Sequence, residues 1–196
     1  MKRIAFLFAI LLLPFWAFAQ ETEAEPEQEP QAEETVPQTE ESVEAEEPMT
    51  LERLDKIVRA LDPNVQTNGR AWQLQIAEVP ILIITDEFSD RMRAMVNVTA
   101  ASEITDEQMV RMMQANFDTA LDARYAIAKG VVWSTFIHPL RALEKDQLIS
   151  GLGQVVNLKQ SFGTLYSGGA IHFGGGDSGE LQRQLIDELL KKGEEI

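Results

Sequence analysis

The chain predicts an α+β fold: a five-stranded antiparallel sheet with helices packed on one face, in the order α-β-β-β-α-β-β-α, followed by a C-terminal helix. Three observations carry that prediction. Short runs alternate apolar with polar residues, the mark of strands buried on one side. Two such runs are joined by Lys129-Gly130, a two-residue link whose glycine suits a turn needing positive φ. Finally, Leu148, Leu152, Val155, Val156, Phe162 and Leu165 recur near a 3.6-residue period, which makes an amphipathic helix. Helices that cover one face of an antiparallel sheet enclose a single core.

The first helix opens at Thr50, whose hydroxyl can cap it, and presents Leu51, Leu54, Ile57, Val58 and Leu61 before Asp62-Pro63 closes it. Trp72, Leu74 and Ile76 then alternate with Gln73 and Gln75. Pro80 introduces Ile81-Leu82-Ile83-Ile84, a β-branched run suited to a central strand. After a turn from Asp86 to Asp90, Met92, Ala94, Val96 and Val98 alternate with Arg91, Arg93, Met95 and Asn97, giving a third strand with a polar outer face.

A second helix starts at Thr105, with Asp106 and Glu107 in its first turn and Gln108 at the capping-box position. Met109, Val110, Met112, Met113 and Phe117 form a methionine-rich stripe along it. Such a stripe serves a core by default and a binding groove as the sharper alternative. The hairpin follows as Tyr125–Ala128 and Val131–Ile137. In its second strand Val131, Trp133, Thr135 and Ile137 share one face, and Val132, Ser134, Phe136 and His138 the other. Both faces are largely apolar, so the outer one is expected to meet a partner, and a homodimer is the simplest. Pro139 ends the strand because it has no N–H to donate.

The long helix contains Gly151 and Gly153, each costing about 1 kcal/mol relative to alanine. Either the helix starts later or another backbone approaches closely there. Gly168-Gly169 supplies a stop. Beyond it, residues 180–192 set Leu181, Leu185, Ile186 and Leu189 along one side of a short helix that must dock or stay marginal.

Composition divides the chain into a signal peptide at 1–19, a disordered acidic Glu/Pro-rich linker at 20–48, the α+β domain at 49–173, and a Gly-rich linker with the C-terminal helix at 174–196. Lys2 and Arg3 precede an apolar run that ends in Ala17-Phe18-Ala19, the layout of a secretory signal. Residues 20–48 hold twelve Glu, four Pro and no Lys or Arg, too little apolar surface to offset chain entropy. Of the formal charge of −15, the signal contributes +2 and the linker −12, leaving −5 for the rest. No basic stripe remains for phosphates, so nucleic-acid binding is excluded. The chain has no cysteine, hence no disulfide, thiolate or lipid-attachment chemistry. Together these predict a periplasmic or secreted bacterial protein that meets membrane only through an uncleaved signal segment.

Reactive constellations are scarce. The two histidines, His138 and His172, show no zinc-binding spacing, and no Gly-x-Ser-x-Gly elbow or phosphate loop is present. No catalytic, cofactor-binding or metal-binding residue is assigned, and no cofactor is expected. The candidate partner-binding residues are Met109, Met112, Met113, Trp133, Phe136 and His138.

The pattern from Leu121-Asp122-Ala123-Arg124 through Trp133, His138-Pro139, Leu143, Gly153 and Tyr166-Ser167-Gly168 resembles the YbjN family of bacterial sensory transduction regulators. The eight-element order is similar to the type III secretion chaperone-like fold. The resemblance covers roughly residues 50–173. It implies a small, often dimeric module that binds polypeptide and carries no catalytic residues. Secretion chaperones act in the cytoplasm, whereas this chain carries an export signal.

The leading expectation is therefore a non-enzymatic exported protein-binding or regulatory module acting through its sheet face or Met-rich helix. Two alternatives compete with it. One is a small envelope enzyme using His138 with nearby carboxylates, and the other is a structural envelope protein working through its acidic segment.

Overall fold

Helix α1 (Leu51–Leu61) begins where the capping signal places it, because the Thr50 hydroxyl accepts a hydrogen bond from Arg53 N at 3.1 Å. The computed structural model describes residues 46–118, 120–163 and 180–195. The proposed signal, most of the acidic segment, Leu165, Gly168-Gly169, His172 and the glycines from Gly174 to Gly179 lie outside the described residues. No helix among the described residues is long and apolar enough to cross a membrane.

After α1 come β1 (Gln66–Thr67), β2 (Ala71–Ile76), β3 (Val79–Asp86), β4 (Arg91–Ala100), α2 (Asp106–Asp118), β5 (Arg124–Ala128), β6 (Val131–His138), α3 (Lys145–Ser161) and α4 (Glu180–Gly193). The strands form one fully antiparallel sheet in the order β1-β2-β3-β4-β6-β5. The class matches the expectation, but the sheet has six strands and not five. The added strand is β1, two polar exposed residues that pair Gln66 with Gln73 and Thr67 with Trp72. It exists because a turn holds it: Thr67 Oγ1 donates to Ala71 O at 2.8 Å, and Asn68 Oδ1 accepts from Arg70 N and Ala71 N. No apolar pattern could have announced it.

Both tight hairpins use two left-handed residues, the twist that matches paired strands. Lys129 and Gly130 have φ of 51° and 75°, as the glycine suggested. Ala77 and Glu78, at 48° and 64°, do the same between β2 and β3 with no glycine or asparagine present.

One face of the sheet carries Trp72, Leu74, Ile76, Ile81, Ile83, Met92, Ala94, Val96, Val132 and Phe136, all buried. Helix α3 lies against β4 and β6, and its buried residues include Leu148, Leu152, Val155 and Val156. A reciprocal Glu144–Gln147 capping box starts α3 at Lys145, so both glycines are interior and the later-start explanation fails. A Cβ at Gly151 would sit 2.5 Å from the Phe136 ring, and one at Gly153 would sit 2.7 Å from Ile186 Cγ1. These glycines admit a ring of the sheet on one side and α4 on the other. The helix stops at Ser161, short of Gly168-Gly169, because Phe162 leaves the helical region and Gly163 takes φ 81°.

Helix α4 docks, burying Ile186 and Leu189. It packs chiefly on α3 and α1. Lys192 Nζ donates to Leu61 O at 2.7 Å and Lys145 Nζ to Gly193 O at 3.0 Å, so lysines close its seam at both helices. On the sheet side of α1, Trp72 Nε1 donates to Asp55 Oδ1 at 2.9 Å.

Candidate functional site

The other face of the sheet is left uncovered among the described residues. Strand alternation puts Gln73, Leu82, Met95, Thr135 and Arg124 on it in one cross-strand row, with Ala71, Ile84, Arg93 and Ile137 in the next. Asn97 and Trp133 pair beyond them. Leu82, Ile84, Met95, Trp133 and Thr135 are half-buried, and Ile137 is 53% exposed. A trough of about 530 Å³ crosses this face, floored by Leu82, Met95 and Trp133 and rimmed by the amides of Asn64, Gln66, Gln73, Gln75 and Asn97. Apolar groups there give contact area without direction. Each amide supplies both donors and an acceptor, the complement of a peptide unit.

Charge on the sheet is one-sided. The strands carry Arg91, Arg93 and Arg124 against a single carboxylate, Asp86, which faces Arg91 in register. The Ser89 hydroxyl and the Ser89 and Phe88 amides bind Asp86 and hold its carboxyl below the usual range. The ion pairs among the described residues lie elsewhere, joining Arg53 with Glu46, Arg59 with Asp55 and Arg111 with Glu107. Asp62 also lines the trough, but its carboxylate already accepts from Gln75 N and Asn64 N at 2.8 and 2.9 Å.

A second cleft of about 530 Å³ lies between the β5–β6 end of the sheet and α3, lined by Asp122, Arg124, His138, Asp146, Gln147 and Ser150 among others. His138 ends β6, stacks on Phe136 at 6.0 Å, and donates from Nδ1 to Pro139 O at 2.8 Å. That bond leaves Nε2 as the proton acceptor of the neutral ring. Ser150 Oγ accepts from Gln154 Nε2 at 3.1 Å and has no bond to the imidazole. Nucleophile and base are therefore unpaired here. No group of three or more His, Cys, Asp or Glu is placed to hold a metal ion among the described residues.

The six residues read from the sequence fall in separate places. Met112 and Phe136 are core residues, exposed by only 1% and 4%, and offer a partner no surface. Met109 packs half-buried against the core. Met113 is 50% exposed and shares the outer side of α2 with Val110 and Phe117. Trp133 lies on the uncovered sheet face, and His138 lines the second cleft. The methionine stripe thus divides, since a step of one residue turns a helix by about 100° and sends Met112 and Met113 apart. Sequence reasoning missed Leu82, Met95, Gln73, Gln75, Arg93 and Arg124, whose signal was the outer phase of the same alternation that located the core.

At the β5 edge α2 performs a further task. Asn116 Oδ1 accepts from Tyr125 N at 2.7 Å while its Nδ2 donates to Tyr125 O at 3.1 Å. The outward backbone groups of an edge residue are thereby occupied by one side chain. Tyr125 itself reaches inward, its hydroxyl donating to Leu158 O at 2.7 Å.

No family model matches the chain and no curated protein matches it, so the resemblance to the YbjN family is not confirmed. Among solved structures, a chain of the HopA1-SchA chaperone-effector complex is similar at 10% identity with a TM-score of 0.46, covering 56% of this chain and 88% of that one. A chain of the ExsC-ExsE complex is similar at 13% identity with a TM-score of 0.41, covering 54% of this chain and 90% of that one.

Proposed function

We propose that this protein is a non-enzymatic, exported protein-binding module that works through the uncovered face of its sheet. One observation carries the reading: helices cover one side of a six-stranded sheet, while the other leaves a half-apolar, amide-rimmed trough in solvent. An antiparallel sheet tolerates a wet face when that face is polar, and Leu82, Ile84, Met95, Trp133 and Ile137 are not. Export rests on Lys2, Arg3 and the apolar run that follows them. The partner we favour is a different protein, because Arg91 and Arg93 outnumber Asp86 on this face and a partner's carboxylates would match that excess.

The enzyme alternative draws on the cleft beside His138, which Asp122 and Asp146 also line but where no nucleophile is bonded to the ring among the described residues. Affinity capture from a bacterial envelope extract separates the two readings. The full chain, a Leu82→Gln/Met95→Gln variant and a His138→Ala variant serve as baits. Protein binding through the sheet predicts that the double variant loses the captured partner and that His138→Ala keeps it. The reverse pattern overturns the proposal.

A further inference from the structure

We infer that the uncovered face receives an extended, carboxylate-bearing polypeptide segment of a partner protein. This deepens the sheet-face reading and rests on it. Arg93 stands between Ile84 and Ile137 in register, so a guanidinium is flanked by two apolar side chains. Arg124 closes the adjacent row beyond Met95 and Thr135. No hydrogen bond or ion pair of the Arg93 guanidinium is present among the described residues, whereas α1 and α2 each form an internal ion pair. Arg124 donates to the carbonyls of Leu121 and Ala123, which holds its head at the margin of the face, beside the cleft it lines with Asp122 and Asp146.

The chemistry of an occupant follows from these groups. Carboxylates satisfy arginine forks with charge-assisted bonds, and lysine-bearing segments are repelled. The amide rim suits the exposed N–H and C=O groups of an extended backbone, which a helix would have spent internally. Apolar side chains between the acids would lie on Leu82, Met95 and Trp133. Successive same-side residues of an extended segment are about 6.6–6.8 Å apart, the spacing that also separates Arg93 from Met95 along β4. A second copy is the rival occupant, and like charges oppose it. Asp86 keeps its negative charge while bonded to Ser89 and Phe88, so self-association is measured directly in the test.

The test uses fluorescence anisotropy with the full chain and labelled peptides of about ten residues. One peptide alternates Glu with Leu, and its counterpart replaces every Glu by Gln. The Glu peptide is expected to bind about tenfold tighter than the Gln peptide at about 50 mM salt, with most of the margin lost near 300 mM. Arg93→Gln/Arg124→Gln should reduce that margin below about threefold, and Arg93→Lys/Arg124→Lys should restore part of it. Four results overturn the inference. Equal binding of both peptides that Met95→Gln abolishes removes the carboxylate preference and leaves the sheet-face reading standing. Binding that Met95→Gln leaves untouched, or no binding of either peptide, removes both. Sedimentation of the chain as a dimer that Met95→Gln dissociates assigns the face to a second copy instead.

Discussion

The two faces of the sheet are made by the same strands and differ in what each side chain meets. On the covered face, Phe136 fits against Gly151 so closely that a methyl group would strike its ring. On the other, Ile137, the next residue along β6, stands 53% exposed beside Arg93, which has no ion-pair partner among the described residues. Packing on the first is specific and leaves no slack; the second is an apolar surface with its polar groups unspent. Core residues fix the fold, and the outward residues at the intervening positions are free of that packing constraint.

Substitution on each face is the strongest way to break that contrast. Leu152→Ala should cost about 2–5 kcal/mol, the range for removing a fully buried leucine, while Met95→Ala should cost under about 1 kcal/mol. Chemical denaturation checks both, and equal losses would show the open face to be covered in solution. Gly151→Ala sharpens the comparison. Better helix propensity contributes about 1 kcal/mol, but overpacking against the buried Phe136 ring costs about 1–3 kcal/mol, so a net loss is expected. A gain would mean that the ring yields.

A smaller effect of opposite sign is expected at the β2–β3 turn. Ala77→Asn with Glu78→Gly relieves two left-handed residues and should stabilise the fold by about 1 kcal/mol, read as a raised Tm. Smallest is the response to acid. The Asp55 carboxyl is held below its ordinary 3.8 by Arg59 and then by Trp72. Glu46 is held below 4.5 by the Lys145 amide and then by Arg53. Both are lowered in the folded state, so their contribution is complete above the unfolded values and is lost as pH falls through the folded ones. Tm should be level above about pH 5 and decline below about pH 4, less steeply in Asp55→Asn. A flat Tm down to about pH 3 would show these bonds to be absent in solution.

Much of this architecture was legible in the chain itself. Alternation in Trp72–Ile76 and Met92–Val98, the caps at Thr50 and Thr105, and the Lys129-Gly130 turn each reported a local cause that acts within a few residues. What escaped depended on distant atoms. Strand β1 is held by a turn and has no apolar face to betray it. The Ala77-Glu78 turn is imposed by the pairing of its strands, against the preference of its residues. The purpose of Gly151 and Gly153 appears only once Phe136 and Ile186 are in place. For the candidate site, Trp133 was visible because an aromatic residue sat on an outward phase. Arg93 and Arg124 looked like ordinary surface charges, and only cross-strand register set them beside Ile137 and Thr135.

Asn116 has a consequence for the life of the molecule in concentrated solution. Strand β5 is a free margin onto which a foreign strand could zip, and repeated addition of that kind yields fibres. A single carboxamide blocks the Tyr125 rung by imitating a peptide group. Slow hydrolysis of that amide to an acid would keep the acceptor and forfeit the donor, turning an oxygen toward the Tyr125 carbonyl. Asn116→Asp should therefore loosen the stopper and leave the margin open to strand addition.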